Sequence, residues 1–287
     1  MSPFEVLVPA TLDEALRLMN DELLNARPVS GCTAISLMMK AGVLNVSHLI
    51  SLEALADEHA SISVQPDGAV RIGALSTIGD LERHPGLQRT QPMLAKTFET
   101  LANTRVRNVA MVGGYLAHGD PHMDLPPVLS ALGASVLVQS VDGSREIKVE
   151  DLYAGYYETT LQSNELITAL VVPPQPAYAA YVKVTARAKH DWPTLGVAAA
   201  FGAAGQTLDR VRLFIGAATD KPSPLVRTAA ALQGKALDSG SFSDVADLAL
   251  EEAPILGDSH GSREYKQALL RAYLPQVCKQ ALKSHLG

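Results

Sequence analysis

The feature that most restricts the fold is a proline-rich break in the second half of the 287-residue chain. Pro173, Pro174 and Pro176 follow directly on a strand-like run that ends at Val172. Proline fixes φ and has no backbone N–H, so neither a helix nor a central strand continues through such a segment. We therefore predict a domain boundary there, with a separate C-terminal domain over residues 177–287.

Residues 1–56 alternate short strands with helices. The segment Thr11-Leu-Asp-Glu14 is a capping box, in which two side chains bind backbone N–H groups where a helix begins. A second helical run covers residues 34–41, and Gly42 is placed to end it. Strand–helix–strand units of this kind favour a small parallel sheet. We predict that residues 1–56 form one sub-domain of this type.

Residues 57–173 follow a different pattern. Pro66-Asp67-Gly68 separates two strand-like runs and predicts a hairpin, and Asp142-Gly143 predicts another. Residues 177–287 contain three strand-like runs and then three helical runs. The sequence therefore predicts an α+β protein, with a second sub-domain over residues 57–173 and a C-terminal domain that combines a sheet with helices.

Composition restricts the partners and the compartment. The chain has 30 acidic and 24 basic residues, a net charge of −6 and no long basic run, which argues against nucleic acid as a partner. We expect no membrane span and no secretion signal, because the apolar segments are short. Cys32 and Cys278 are the only cysteines, too few for a disulfide framework or a cysteine-bound iron–sulfur cluster. These features indicate a cytoplasmic protein.

The first candidate binding segment is Val29-Ser30-Gly31-Cys32-Thr33. A predicted strand runs into a turn of small residues and then into a helix N-terminus, where backbone N–H groups lack partners. Such donors bind anions, and a glycine lets a diphosphate approach the backbone closely. The alternative is an ordinary strand–helix turn with no ligand.

The second candidate segment runs from Asn108 to Asp124 and contains Gly113-Gly114. Its spacing is not the GxGxxG pattern of a Rossmann dinucleotide site. Two small-residue turns in different sub-domains, each expected to follow or join short strands, instead indicate a long ligand held between them, such as a dinucleotide.

The same segment permits a metal-site hypothesis. His118, Asp120, His122 and Asp124 alternate, so a strand would place all four on one face. Pro121 interrupts a regular strand, and no further cluster of ligands is evident. We therefore assign no metal, and interpret the segment as a capping aspartate with partly exposed histidines.

The segment after the proline-rich linker contains four polar or aromatic residues: Lys183, Arg187, His190 and Trp192. Their side chains are placed either to reach a ligand between the domains or to form a solvated strand edge.

The chain as a whole resembles a known family. Asn108–Pro121 with Asp124-Leu-Pro is similar to RNxxTIGGNLAxADPxxDLP, and Arg107 completes the initial pair. This is the pattern of the FAD-binding medium subunits of molybdenum hydroxylases, which include carbon monoxide and xanthine dehydrogenases. The segment Arg27–Thr33 resembles the family's AGGT turn. Tyr181-Val-Lys183 with Arg187 resembles its K…R strand, and Gly261–Tyr265 its S-x-E-Y-R segment.

The resemblance implies a fold of the vanillyl-alcohol-oxidase type, with two FAD-binding sub-domains and a C-terminal domain of antiparallel sheet and helical bundle. It implies that this chain binds FAD, while molybdopterin and [2Fe–2S] clusters lie in partner subunits. The partners would be an iron–sulfur small subunit and a molybdopterin large subunit, in a dimer of heterotrimers. This chain would take electrons from the clusters and pass them to an external acceptor.

The resemblance also assigns binding residues but no catalytic ones. Those of the first diphosphate turn are Val29, Ser30, Gly31, Cys32 and Thr33, and those of the second are Met111, Gly113, Gly114 and Tyr115. Asp124 matches a carboxylate near the ribityl or ribose group, and Ile167 and Lys183 match positions beside the flavin ring. Cys32 stands where the family has its second glycine, and Tyr115 where it has Asn or Ser.

Two other functions remain open at this point. One is a stand-alone FAD-dependent oxidoreductase of the same fold, which would turn over its own substrate without partners. The other is a scaffold that has lost FAD, which Cys32 and Tyr115 would favour.

Overall fold

A computed structural model of the chain describes residues 3–21, 23–242 and 244–284. The first sub-domain is a three-stranded parallel sheet with the strand order β1-β3-β2. Its elements are β1 (Glu5–Leu7), α1 (Leu12–Met19), β2 (Ala26–Val29), α2 (Ile35–Lys40) and β3 (His48–Ser51), and α3 (Ala56–His59) follows at the boundary with the second sub-domain. The parallel sheet predicted from the strand–helix alternation is therefore formed.

Local signals set the helix ends in this part. Thr11 accepts a hydrogen bond from the backbone N–H of Glu14, and the Glu14 carboxylate accepts one from Ala10. Gly42 follows α2 with a positive φ of 73°. The predicted capping box and C-terminal glycine are thus both present.

The second sub-domain contains a five-stranded antiparallel sheet and a layer of short helices. The sheet has the order β4-β5-β10-β6-β7. Its strands are β4 (Ile62–Val64), β5 (Val70–Gly73), β6 (Ser135–Ser140), β7 (Gly143–Lys148) and β10 (Leu166–Val172), and β8 (Tyr153–Gly155) and β9 (Glu158–Thr159) form a separate hairpin. The helices are α4 (Ile78–Arg83), α5 (Pro85–Thr90), α6 (Pro92–Thr100), α7 (Thr104–Arg107), α8 (Val112–Ala117) and α9 (Leu125–Leu132).

In its described residues, the C-terminal domain has a four-stranded antiparallel sheet, ordered β11-β12-β13-β14, and three α-helices. These elements are β11 (Tyr178–Thr185), β12 (Pro193–Ala204), β13 (Thr207–Gly216), β14 (Ser223–Pro224), α10 (Val226–Leu232), α11 (Val245–Glu252) and α12 (Arg263–Lys283). β11 ends at Thr185, so Arg187, which the resemblance to the family's K…R strand places on the same strand as Lys183, lies in the following loop.

Helix α9 joins the second sub-domain to the C-terminal domain. All eight of its residues are buried, and it packs against β12 and β13 on one side and α6 on another. The other face of the C-terminal sheet is covered by α12. Because both faces of β12 are covered, its residues 193–202 are all buried, which explains its continuous run of small and apolar residues.

Arg107 braces the helical layer from inside. Its guanidinium makes two hydrogen bonds to the Glu82 carboxylate, at 2.8 and 3.1 Å, and others to the carbonyls of Leu101 and Ala102 and the hydroxyl of Thr104. The side chain is only 7% exposed. The arginine of the family-like pair therefore organises the turn before α7.

We predict that Arg107→Lys lowers the free energy of unfolding by about 2–4 kcal/mol, because a single ammonium cannot replace a buried fork that binds four groups. Urea unfolding followed by circular dichroism measures the loss. Arg105→Lys, at an exposed position of the same turn, is the matched control and is expected to change little. Equal stability of Arg107→Lys and Arg105→Lys would contradict the bracing role.

Candidate functional site

The two candidate turns meet through their backbones. A Cβ at Gly31 would lie 1.8 Å from the carbonyl oxygen of Val109 and 2.6 Å from its carbonyl carbon. Only glycine allows so close an approach. The turn between β2 and α2 is therefore packed directly on the segment that leads into α8.

The first turn presents unpaired donors. Within the described part of the chain, the backbone N–H groups of Gly31, Cys32 and Thr33 have no hydrogen-bond acceptor. α2 begins two residues later, and its N-cap Ala34 supplies no side-chain acceptor. This arrangement of N–H groups at a strand–helix turn fits an anionic group such as a diphosphate.

Gly113 and Gly114 have different surroundings. The N–H of Gly113 donates to the carbonyl of Ala74 at 2.8 Å, and a Cβ on Gly113 would lie 2.6 Å from the Ala74 Cβ. Gly114 is exposed, and a Cβ there would meet only the Ser30 hydroxyl, at 3.4 Å. Its N–H finds no acceptor among the residues that the structure describes. Gly113 thus anchors α8 to the end of β5, whereas Gly114 faces the first turn.

The second turn differs from its predicted form. Gly113 and Gly114 were expected in a turn that follows or joins strands, but they form the first turn of α8. Before α8 the chain forms α7 and a single bridge between Met111 and Thr77. Glycine is tolerated there because Ala74 and Ser76 accept the first N–H groups, which supplies the hydrogen bonds that a helix start lacks.

A buried hydrogen-bond network joins α8 to the C-terminal domain. The hydroxyl of Tyr115 accepts from the backbone N–H of Asp124 at 3.0 Å. The Asp124 carboxylate accepts from the Tyr181 hydroxyl and from Lys183 Nζ, both at 2.8 Å. Lys183 also donates to the Thr100 carbonyl at 3.1 Å. The candidate for the ribityl or ribose region, Asp124, and the ring-side candidate Lys183 are therefore paired with each other.

The charges in this network are balanced. The Asp124 and Lys183 side chains are 5% and 7% exposed. Burial raises the pKa of Asp124, and the ammonium group of Lys183 opposes that shift. Burial and the nearby Asp124 carboxylate raise the pKa values of Tyr115 and Tyr181 well above their usual range, so both phenols are neutral. The Asp124–Lys183 pair therefore adds no net charge to this buried network.

Ile167 lies on β10 beside a bulge between Ile167 and Ala169. The N–H of Ala74 donates to the carbonyl of Thr168 at 3.0 Å. Since Ala74 also accepts from the Gly113 N–H, β10 is linked to the second turn through Thr168 and Ala74. Ile167 is 9% exposed and packs in the main core.

The side chains of Val29 and Met111 pack into the cores beside the two turns. Val29 is 7% exposed and packs with the core residues beside α2, and Met111 packs against the core of the first sub-domain. Their side chains pack in these cores and so hold the turns in place.

Sequence reasoning did not assign Tyr181 or Ala74 to the candidate binding site. Tyr181 was identifiable in principle, because it lies two residues before Lys183 on one strand and therefore shares its face. No local signal marks Ala74 or Val109, whose contacts with the glycines arise only when distant segments pack together.

The histidines and aspartates of residues 118–124 do not share one face. The ring of His118 lies edge-on to Tyr157, with centroids 5.3 Å apart. Asp124 binds Lys183, while His122 lies between Asp120 and a residue of the C-terminal domain, Asp258. The four side chains therefore do not form the one-sided cluster that a strand would give and that the metal-site hypothesis requires.

One other group of possible metal ligands occurs in the described ranges: His122, Asp258 and His260, whose ligand atoms lie within 4.8 Å of one another. The ammonium group of Lys266 already occupies the Asp258 carboxylate. A metal cation would have to displace this buried cation, so we assign no metal to the group.

Comparison with known proteins agrees with this geometry. Residues 2–175 match the FAD binding domain in molybdopterin dehydrogenase, and residues 180–281 match the CO dehydrogenase flavoprotein C-terminal domain. The glyceraldehyde dehydrogenase medium chain of Sulfolobus acidocaldarius is 27% identical over 279 residues, which cover 96% of this chain and 98% of that one. The nicotine 6-hydroxylase medium subunit of Paenarthrobacter nicotinovorans is 31% identical over 74% of this chain and 75% of its own length.

The structural match is equally extensive. A chain of carbon monoxide dehydrogenase from Hydrogenophaga pseudoflava superposes with a TM-score of 0.93 and 28% identity, over 99% of both chains. Fold and paired turns thus define a FAD-binding chain of an oxidoreductase. The chain belongs to the FAD-binding medium subunits of the molybdenum hydroxylases, the family of carbon monoxide and xanthine dehydrogenases. The predicted family and α+β fold class are confirmed.

We predict that a methyl group has different effects at the two neighbouring glycines: it lowers stability at Gly113 and FAD affinity at Gly114. Gly113→Ala is expected to destabilise the chain by about 1–3 kcal/mol, because the new Cβ overlaps Ala74. Gly114→Ala is expected to keep full stability but to weaken FAD binding, because its methyl stands beside Ser30 and the unpaired N–H. Urea unfolding of the FAD-free chain and titration with FAD separate the two effects. An unchanged FAD affinity in Gly114→Ala would refute the assignment.

We further predict that Cys32→Gly stabilises the chain. Cys32 has φ +52°, a conformation that strains residues with a Cβ, and relief of this strain is expected to add about 0.5–1 kcal/mol. Burial and the Glu53 carboxylate raise the pKa of the Cys32 thiol, so no thiolate is lost. Cys32→Ala, which removes the thiol but keeps the strain, is the control. Thermal unfolding measures both, and a gain shared by Cys32→Ala would show that the backbone is not the cause.

Proposed function

We propose that this chain holds FAD where its two glycine-containing turns meet. The observation that carries this proposal is the close packing of Gly31 on Val109, with unpaired N–H groups at Gly31, Cys32, Thr33 and Gly114. These donors would bind the diphosphate. Asp124 and Lys183 would fix the position of the ribityl chain and flavin ring, and Ile167 would form part of the apolar wall.

The proposed division of the chain follows its sheets. Residues 1–56 and 57–173 are the two FAD-binding sub-domains, and residues 177–287 are the C-terminal domain. Supporting this, the parallel sheet, the five-stranded sheet and the four-stranded sheet each lie within one of these ranges.

The proposed role is electron transfer from [2Fe–2S] clusters of a partner subunit to an external acceptor. Bound FAD exchanges electrons singly or in pairs, which connects one-electron clusters with two-electron acceptors. The chain has two cysteines, and the wholly buried Cys278 has a pKa raised to about 12 by burial. A cluster bound by cysteines would therefore have to come from another subunit.

The relatives support a division of labour between chains. Their names refer to glyceraldehyde, nicotine and carbon monoxide, compounds with little in common, yet their medium chains share this fold or sequence over most of the chain. We infer that the organic substrate is selected outside this chain, in a molybdopterin large subunit.

The proposed assembly is a cytoplasmic dimer of heterotrimers. Each heterotrimer would contain this chain, an iron–sulfur small subunit and a molybdopterin large subunit. Relatives named as the medium chain of a dehydrogenase and as a subunit of a dehydrogenase complex support the partners. No helix in the described ranges is long and apolar enough to cross a membrane.

The proposal predicts that the flavin of the isolated chain is not reduced by organic substrates. The FAD-loaded chain, alone and reconstituted with its partner subunits, is mixed anaerobically with a panel of aldehydes, N-heterocycles and carbon monoxide while flavin and cluster absorbance are recorded. In the complex, any compound that reduces the flavin should bleach the clusters no later than the flavin.

Equal flavin reduction in the isolated chain would overturn the subunit role and favour the stand-alone oxidoreductase. Acid denaturation, which releases non-covalently bound flavin into the supernatant, tests FAD binding separately. Protein without flavin that also fails to bind added FAD would support a scaffold.

A further inference from the structure

Both ring nitrogens of His122 face carboxylates. Nδ1 lies 3.0 Å from an Asp120 oxygen, and Nε2 lies 2.9 Å from an Asp258 oxygen. A neutral imidazole has one N–H, so its other nitrogen would direct a lone pair at a carboxylate oxygen. Both contacts are favourable only when His122 carries two ring protons and a positive charge.

The surrounding groups balance this charge. Lys266 is completely buried and donates from Nζ to Asp258 and, at 2.7 Å, to the carbonyl of Ala217. The Tyr157 hydroxyl donates to Asp120 at 2.8 Å. With His122 protonated, the two carboxylates are matched by two cations. Loss of one proton from His122 leaves one carboxylate uncompensated in a largely buried site, which is costly.

The network lies at a junction between two parts of the fold. Asp120 and His122 belong to the loop between α8 and α9, whereas Asp258 and Lys266 belong to the C-terminal domain. Beside them, the N–H of Ala217 donates to the Pro121 carbonyl at 3.0 Å. The same loop leads to Asp124 at the start of α9. The charges therefore hold this loop against the C-terminal domain.

The other titratable groups at this junction do not duplicate the charge of His122. The ring of His260 lies 4.6 Å from that of His122, and burial and the His122 charge lower the pKa of His260. Burial and Asp120 raise the pKa of Tyr157 to about 12. Burial, with Asp258 and Asp220, raises the pKa of Tyr156.

The pKa of His118, on the same loop, is shifted in the opposite direction to the pKa of His122. Burial lowers the pKa of His118, and Asp120 only partly opposes this shift. The Asp258 pKa is about 2, because Lys266 and His122 outweigh its burial. Among the three histidines at this junction, His122 is therefore the one whose contacts favour the charged form.

We propose that doubly protonated His122 is an ionic clasp that fastens the C-terminal domain to the loop before α9, and that loss of one ring proton as the pH rises loosens this junction. The clasp depends on Asp120 and Asp258 acting on opposite sides of one ring. His122, Asp120 and Asp258 are not among the residues proposed to hold FAD, so the clasp is tested separately from the proposed function.

The direction of the pH dependence follows from the same contacts. Burial lowers the pKa of His122, but the hydrogen bonds and charges of Asp120 and Asp258 outweigh it and raise that pKa above its ordinary value. The stabilisation is therefore complete below the unfolded-state pKa of about 6.5 and is lost as pH rises through the folded-state pKa.

Thermal unfolding of the full chain between about pH 6 and pH 9 tests the clasp. The Tm difference between wild type and His122→Gln is expected to be largest at the acidic end and to shrink as pH rises. His190→Gln, at an exposed position outside the network, should follow wild type throughout. A Tm difference that stays constant or grows with pH would overturn the proposal.

Nitrogen NMR of histidine-labelled protein provides a second measurement that does not depend on stability. Both His122 nitrogens should show protonated shifts at pH 6, and Tyr157→Phe should move the titration to higher pH, because Asp120 loses one donor. Tyr157 is 54% exposed, so this substitution leaves the core intact. An unprotonated nitrogen at pH 6, or an unchanged titration in Tyr157→Phe, would refute the clasp.

Discussion

The contact between Gly31 and the Val109 carbonyl sets the relation between the first sub-domain and the rest of the chain. Without a side chain at Gly31, the strand–helix turn can lie directly on the segment before α8. The consequence is that N–H donors from two distant parts of the sequence face a common region. The proposed ligand site is thus a property of the interface between sub-domains rather than of either one.

Helix α9 similarly connects the second sub-domain to the C-terminal domain. It is buried along its whole length because the C-terminal sheet covers it, and its start is held by ionic contacts. Asp124 pairs with Lys183 of β11, and a short distance earlier His122 pairs with Asp258. Two charge networks therefore connect one loop to the C-terminal domain. Both are largely buried, and because an unpaired charge is costly in a buried site, each charged group requires its own partner.

This arrangement fits a subunit whose task is to hold one cofactor in a fixed position between partners. The Asp124–Lys183 pair is electrically neutral, and the two phenols around it are neutral: Tyr181 donates to the Asp124 carboxylate, and Tyr115 accepts from the Asp124 N–H. The proposed flavin site would therefore be controlled by hydrogen-bond direction more than by net charge. Selection of the organic substrate would lie in another chain, in keeping with the varied relatives of this one.

The sequence by itself determined the local structure and the family. The capping box at Thr11, the parallel first sheet, the hairpins and the family-like segment around Gly113 were all recognisable, because they depend on neighbouring residues. Tertiary structure decided what distant residues do: Gly113 supports the helix on Ala74, Arg107 braces a turn, and His122 finds its second carboxylate 136 positions away. Periodicity and turn signals act over a few residues, whereas close approach and charge pairing depend on which segments the folded core brings together.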